Sequence, residues 1–89
     1  MLERDITIIN KLGLHARAAA KLVSTASAHD ASVLIRKDGQ EVNGKSIMGI
    51  LMLAANKGTH LTLTASGADE SEAIRALEAL VNNRFGEKE

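Results

Sequence analysis

The segment "NKLGLHARAAAK", residues 10–21, holds the residues best placed to do chemistry. His15 stands between a glycine-containing turn and a run of alanines, and Arg17 follows two positions later. A helix starting here leaves its first backbone N–H groups unpaired and carries a partial positive charge. Such a terminus binds anions, phosphate above all. Arg17 adds a planar, permanently charged fork for phosphate oxygens. A neutral imidazole is a competent nucleophile near neutral pH. Nucleophile plus phosphate cradle is a constellation for a transient phosphohistidine. Spacing alone leaves open the alternative of an incidental surface histidine. His29, in "SAHD", reads as a histidine at a helix end, and His60 reads as a solvated residue opening an edge strand. No two of the three histidines have metal-ligand spacing, so no metal site and no built-in cofactor are expected.

A second group lies in "GKSIMGILMLAAN". Ser46 is placed to cap a helix, which by itself accounts for its position. Ile50, Leu53 and Ala54 can face a core, which leaves Ile47, Met48, Leu51 and Met52 on another face. A short helix that is apolar on all sides is either deeply buried or a docking surface. Deep burial on every side is implausible in 89 residues, and Met suits a surface that accepts several partners. Lys21 and Lys45 are the nearest candidates for steering an acidic partner toward it.

The elements that position these residues follow from periodicity. "RDITIIN" (4–10) is a strand with Ile6 and Ile8 on one face. Residues 14–30 hold an alanine-rich helix starting near residue 16, with Ala19, Leu22 or Val23, and Ala26 inward. "SVLIRK" (32–37) and "EVN" (41–43) are strands joined by a tight turn at Asp38-Gly39. Residues 45–58 read as a helix ended by Gly58, and "HLTLTAS" (60–66) as a half-buried strand. Residues 69–86 form the clearest helix, with Asp69 and Glu72 resembling a capping box, Ile74, Leu77 and Leu80 or Val81 as the apolar stripe, and Gly86 as its end. The order β-α-β-β-α-β-α predicts an α+β open-faced sandwich: a four-stranded antiparallel sheet covered by three helices.

Composition narrows the classes. The chain has 89 residues, no Pro and no Cys. One domain over 1–89 is expected, because a chain this short buries only about 60% of its unfolded surface. The absence of thiols excludes disulfides and suits the cytoplasm. The N-terminus lacks the apolar run of a signal peptide, and no apolar stretch approaches the ~20 residues of a membrane span, so no membrane insertion is expected. Residues 1–60 carry eight Lys/Arg and five Asp/Glu (+3), and residues 61–89 three and six (−3), giving the net charge of +0. With Phe85 as the sole aromatic, neither charge nor stacking surface supports nucleic-acid binding.

"GLHAR" followed by a helix, "NGKSIMGILML" some thirty residues on, and the terminal amphipathic helix resemble, in order and spacing, the HPr phosphocarrier family of the bacterial phosphoenolpyruvate-dependent phosphotransferase system. The resemblance covers nearly the whole chain. It implies that His15 is phosphorylated on a ring nitrogen and that Arg17 assists. The donor it implies is Enzyme I, the acceptors EIIA-type domains, and the role sugar uptake or its regulation. It also implies that Ser46 is a site for an HPr kinase/phosphorylase, that partners dock on the helix at 46–57 together with the His15 helix, and that the protein works as a monomer. The family usually has proline after the arginine, where this chain has Ala18. A nitrogen-linked regulatory carrier is the alternative within the family. A small ligand-binding regulatory domain of ferredoxin-like type is the alternative from another class.

Overall fold

The computed structural model describes residues 1–89. Its elements are β1 (Leu2–Thr7), α1 (Ala16–Ser27), β2 (Ser32–Lys37), β3 (Gln40–Asn43), α2 (Ile47–Met52), β4 (His60–Ser66) and α3 (Glu70–Asn82), followed by a short 3-10 turn, Arg84–Gly86. The β-α-β-β-α-β-α order and the α+β open-faced sandwich are those expected from the sequence. The sheet runs β1-β4-β2-β3 and is antiparallel throughout. β4 therefore inserts between β1 and β2, and His60 opens a central strand rather than an edge.

Each strand turns alternate apolar side chains toward the helices. Ile6 from β1 and Ile8 just beyond it, Val33 and Ile35 from β2, and Leu61, Leu63 and Ala65 from β4 are buried. Against them pack Ala18, Ala19, Leu22 and Ala26 of α1 and Ala73, Ile74, Leu77 and Val81 of α3. Small alanines on α1 let its backbone sit close to α2 and α3. The β2–β3 hairpin pairs Lys37 with Gln40 across two residues of positive φ, Asp38 (49°) and Gly39 (83°), as the Asp-Gly pair predicts.

The structure departs from the sequence reading in four places. β1 covers residues 2–7 rather than 4–10, because pairing from Leu2↔Ala65 to Thr7↔His60 fixes its span. α2 stops at Met52, far short of Gly58. Ala54 adopts a left-handed φ of 50°, which turns Ala55 into the core, while Ala54 itself is exposed. The Lys37 ammonium donates to the Leu53 carbonyl at 2.8 Å and so satisfies the early helix end. Gly58 instead sits in the turn before β4, its N–H donating to the Ile8 carbonyl at 2.7 Å. The Asp69–Glu72 capping box does not form. The Asp69 carboxylate accepts from the N–H groups of Asp30 and Ala31 at 2.9 and 2.8 Å, clamping the α1–β2 loop. α3 ends at Asn82, and Gly86 closes the following turn instead.

Candidate functional site

His15 is the residue before α1, with extended backbone (φ −76°, ψ 179°). Its side chain does not cap the helix, and no acidic residue occupies the first turn. α3, in contrast, has Glu70 and Glu72 there, and α2 has the Ser46 hydroxyl accepting from the Gly49 N–H at 3.1 Å. The positive end of α1 is thus left for something outside the chain's own helix caps.

The loop before His15 is fixed by backbone contacts. The Leu14 N–H donates to the Ala55 carbonyl at 2.8 Å. Gly13 lies so close to that same segment that a Cβ on it would stand 2.5 Å from the Ala55 oxygen and 2.9 Å from the Asn56 Cα. Its φ of 69° is in the left-handed region as well. The early end of α2 is what brings Ala55 here.

From the other side comes the C-terminal segment. Arg84, Phe85 and Gly86 are three consecutive residues with positive φ (54°, 54° and 78°). Two non-glycine residues in this region cost about 1–2 kcal/mol each. Burial of the Phe85 ring and a 2.6 Å hydrogen bond from the Lys21 ammonium to the Phe85 carbonyl hold the turn in place. It delivers Glu87, whose Oε2 meets His15 Nε2 and whose Oε1 accepts from Asn10 Nδ2 at 2.9 Å. Asn10 is fully buried and uses its other amide hydrogen on the Gly13 carbonyl, also at 2.9 Å. The Asn10 hydrogen bond is the chief cause that holds the Glu87 carboxyl below the usual carboxylate range. Burial opposes it and the His15 contact adds to it.

Around this cluster opens an uncapped cleft of about 790 Å3, lined by Lys11, Leu12, His15, Ala16, Arg17, Glu87, Lys88 and Glu89. Arg17 is exposed and makes no hydrogen bond or ion pair with another side chain. His15 and Arg17 therefore share one concave surface with the start of α1. His29 and His60 lie elsewhere, bonded to the Thr25 carbonyl and the Thr7 hydroxyl respectively. No group of acidic or histidine side chains is arranged to hold a metal ion.

A family profile described as "PTS HPr component phosphorylation site" matches residues 2–83. The chain belongs to the HPr family. It is 57% identical over 89 residues, covering all of both chains, to the phosphocarrier protein HPr of Neisseria meningitidis. The crystal structure of an HPr from Thermoanaerobacter tengcongensis superposes with a TM-score of 0.97 at 48% identity, covering the whole of each chain. A dimeric HPr from the same organism reaches a TM-score of 0.79 at 49% identity, over 98% of this chain and 100% of that one. The protein is accordingly an HPr phosphocarrier of the phosphotransferase system.

Outside the cleft, Met48 and Met52 of α2 are 70% and 67% exposed, and Ile47 and Leu51 are exposed to a lesser degree. Ile50 and Leu53 fill the core beneath them. Lys21 and Lys45 are both engaged within the fold, Lys45 donating to the His29 carbonyl at 2.8 Å. Asn10, Leu12 and Glu87 were not singled out in the sequence. Leu12 is an exposed apolar residue in the cleft wall. Asn10 and Glu87 lie 77 positions apart and are joined only by folding.

Proposed function

We propose that His15 accepts a phosphoryl group from a phosphohistidine on an Enzyme I-type donor and passes it to an EIIA-type acceptor in the cytoplasm. The observation that carries this reading is the placement of His15 and Arg17 together in an open cleft at the uncapped start of α1. As the donor's N–P bond breaks, a ring nitrogen of His15 supplies the electron pair for the new N–P bond. The donor imidazole leaves, and no water enters the balance. Charge builds on the three equatorial phosphoryl oxygens, where the Arg17 guanidinium and the free N–H groups of the first turn of α1 can meet it. Positioning and charge stabilisation are most of what such a transfer requires, so a small scaffold suffices. The groove must open to two large partners in turn, which fits a shallow cleft beside the exposed face of Ile47, Met48, Leu51 and Met52. A carrier has to release each partner, so small interfaces and modest affinity are favoured. The working form in this reading is a monomeric single domain.

Incubation with Enzyme I and labelled phosphoenolpyruvate tests it. Acid-labile label is expected on His15, and a folded His15→Ala variant should take up none. Label persisting at His29 or His60 would refute the assignment. Ser46, half-buried at the start of α2, is in the same reading the target of an HPr kinase/phosphorylase. Negative charge there would be stabilised by the helix end and would fall beside the apolar face. Equal ATP-dependent labelling of the parent and a Ser46→Ala variant would exclude it.

A further inference from the structure

Glu87 and Asn10 form a chain of contacts to the ring of His15 that nothing in the phosphoryl transfer described above uses. Glu87 is only 15% exposed and lies against a ring that is itself 29% exposed. Its carboxylate is supplied with a proton donor on each oxygen, Asn10 Nδ2 on Oε1 and His15 Nε2 on Oε2. The amide of Asn10 is fully buried and has both hydrogens committed, to Glu87 and to the Gly13 carbonyl. Asn10 therefore cannot rotate without breaking two bonds in a dry environment. The carboxylate it orients is ionised and can only accept. A neutral imidazole facing an acceptor through Nε2 must carry its proton there, and its lone pair is then on Nδ1. Second partners fix the tautomer of metal-bound and catalytic histidines in the same manner.

We propose that Glu87, oriented by Asn10, is a positioning residue that holds His15 in the Nε2–H tautomer, leaving the Nδ1 lone pair as the phosphoryl acceptor. The idea rests on the carrier reading of His15 and adds the group that selects the reactive nitrogen. During transfer the Nδ1 lone pair forms the N–P bond while the proton stays on Nε2. The positive charge that the ring gains is then shared with the Glu87 carboxylate. Everything that delivers Glu87 belongs to the device: the buried Phe85 ring, the left-handed turn at 84–86, and the Lys21 ammonium on the Phe85 carbonyl.

The decisive variant is Glu87→Gln. Asn10 still presents a hydrogen to the side chain at position 87, so the glutamine must turn its oxygen to Asn10 and its NH2 to the ring. An NH2 group facing Nε2 selects the opposite tautomer, with hydrogen on Nδ1. Ring 15N chemical shifts of His15 in the full-length protein read this directly. The parent is expected to show the Nε2–H form, Glu87→Gln the Nδ1–H form, and Glu87→Asp a return toward the parent. Transfer from phosphorylated Enzyme I should fall about 10- to 100-fold in Glu87→Gln, the usual penalty for losing such a second partner. The loss should appear in the rate at saturating donor rather than in the half-saturating concentration. A parent ring in the Nδ1–H form would overturn the proposal whatever the variants do, including a failure of Glu87→Gln to fold. So would a Glu87→Gln protein with parental ring shifts and a parental rate. A parent that takes no label from Enzyme I, with the Nε2–H tautomer present, would instead fault the carrier reading.

Discussion

Replacing Gly13 by alanine tests whether the backbone seat of His15 is as tight as its geometry says, and Gly39 supplies the control. Both glycines have positive φ, 69° and 83°. An alanine in the left-handed region costs about 1–2 kcal/mol, of which about 0.4–1 kcal/mol is returned by the stiffer unfolded chain. At Gly39 that is the whole effect, because nothing lies within 4 Å of the added Cβ. The expected loss is therefore about 0–1.5 kcal/mol. At Gly13 the same cost applies, and the Cβ also meets the Ala55 oxygen at 2.5 Å and the Asn56 Cα at 2.9 Å. Both are backbone atoms, which cannot rotate aside, so an overpacking cost of about 1–3 kcal/mol is added. At about 4–8 °C per kcal/mol for a domain of this size, Gly13→Ala should melt far below Gly39→Ala in thermal circular dichroism. The clash also pushes the 13–14 backbone off the Ala55 carbonyl and shifts His15. Phosphorylation by Enzyme I, measured well below the melting transition, should slow in Gly13→Ala and stay parental in Gly39→Ala. Equal melting losses, or a parental transfer rate in Gly13→Ala, would refute the reasoning.

Met48→Asp should weaken binding to Enzyme I in a titration and leave the melting temperature nearly unchanged, because substitutions at sites as exposed as Met48 shift stability by less than ~0.5 kcal/mol; collapse of the fold or parental affinity would remove α2 from the interface. Arg17→Ala should slow transfer about ten- to a hundredfold, the equivalent of ~1.5–3 kcal/mol for a charge-assisted hydrogen bond made in the transition state, without affecting thermal stability; stopped-flow transfer kinetics check both. Acid should destabilise the fold through Asp69 and Glu87. Asp69 is held below its ordinary range chiefly by the Asp30 backbone N–H, and Glu87 chiefly by Asn10. Folded values lower than unfolded ones give stability that is present above the ordinary carboxylate range of about 4 and lost as pH falls through the lowered folded values. Denaturant midpoints between pH 6 and pH 2 (roughly the window that brackets both states) should fall less steeply in Asp69→Asn than in the parent, and the same slope in both would discount Asp69.

How much of this was legible in the chain depends on whether the cause was local. Helical stripes such as Ile74, Leu77 and Val81, the alternation Leu61, Leu63, Ala65 and the Asp38-Gly39 turn are set by neighbours within a few residues, and they appear where periodicity places them. So does Ser46 at its cap. The misplacements arise where a distant group overrides a local preference. Asp69 has the residue type and position of a helix cap, yet two N–H groups of the 30–31 loop outbid its own helix for the carboxylate. Lys37, sixteen positions before Leu53, accounts for a helix end that no residue inside "SIMGILMLAAN" announces.

The same distinction explains why the site was half readable. His15 and Arg17 are recognisable because their relation to the helix start is a matter of two positions. Glu87 is 72 positions from His15 and sits in a charged tail that, read as sequence, is an unremarkable solvated end. The apparent defects of the local reading converge on this one place. A helix at 45–58 that continued to Gly58 would point the Ala55 carbonyl along its own axis and leave the Leu14 N–H without its acceptor. A terminal helix that continued through residue 86 would point the Phe85 carbonyl along its own axis, away from the Lys21 ammonium, and carry Glu87 away from the ring. Ala54 at φ 50° and the pair Arg84–Phe85 at φ 54° are the positions where those helices are broken, at a conformational cost that ordinary loops have no reason to bear. Both breaks end in contacts to residues 13–15, one through the Ala55 carbonyl and the other through Glu87. Strain placed on either side of one histidine, and at neither of the other two, is what a fold organised around the orientation of that ring would show.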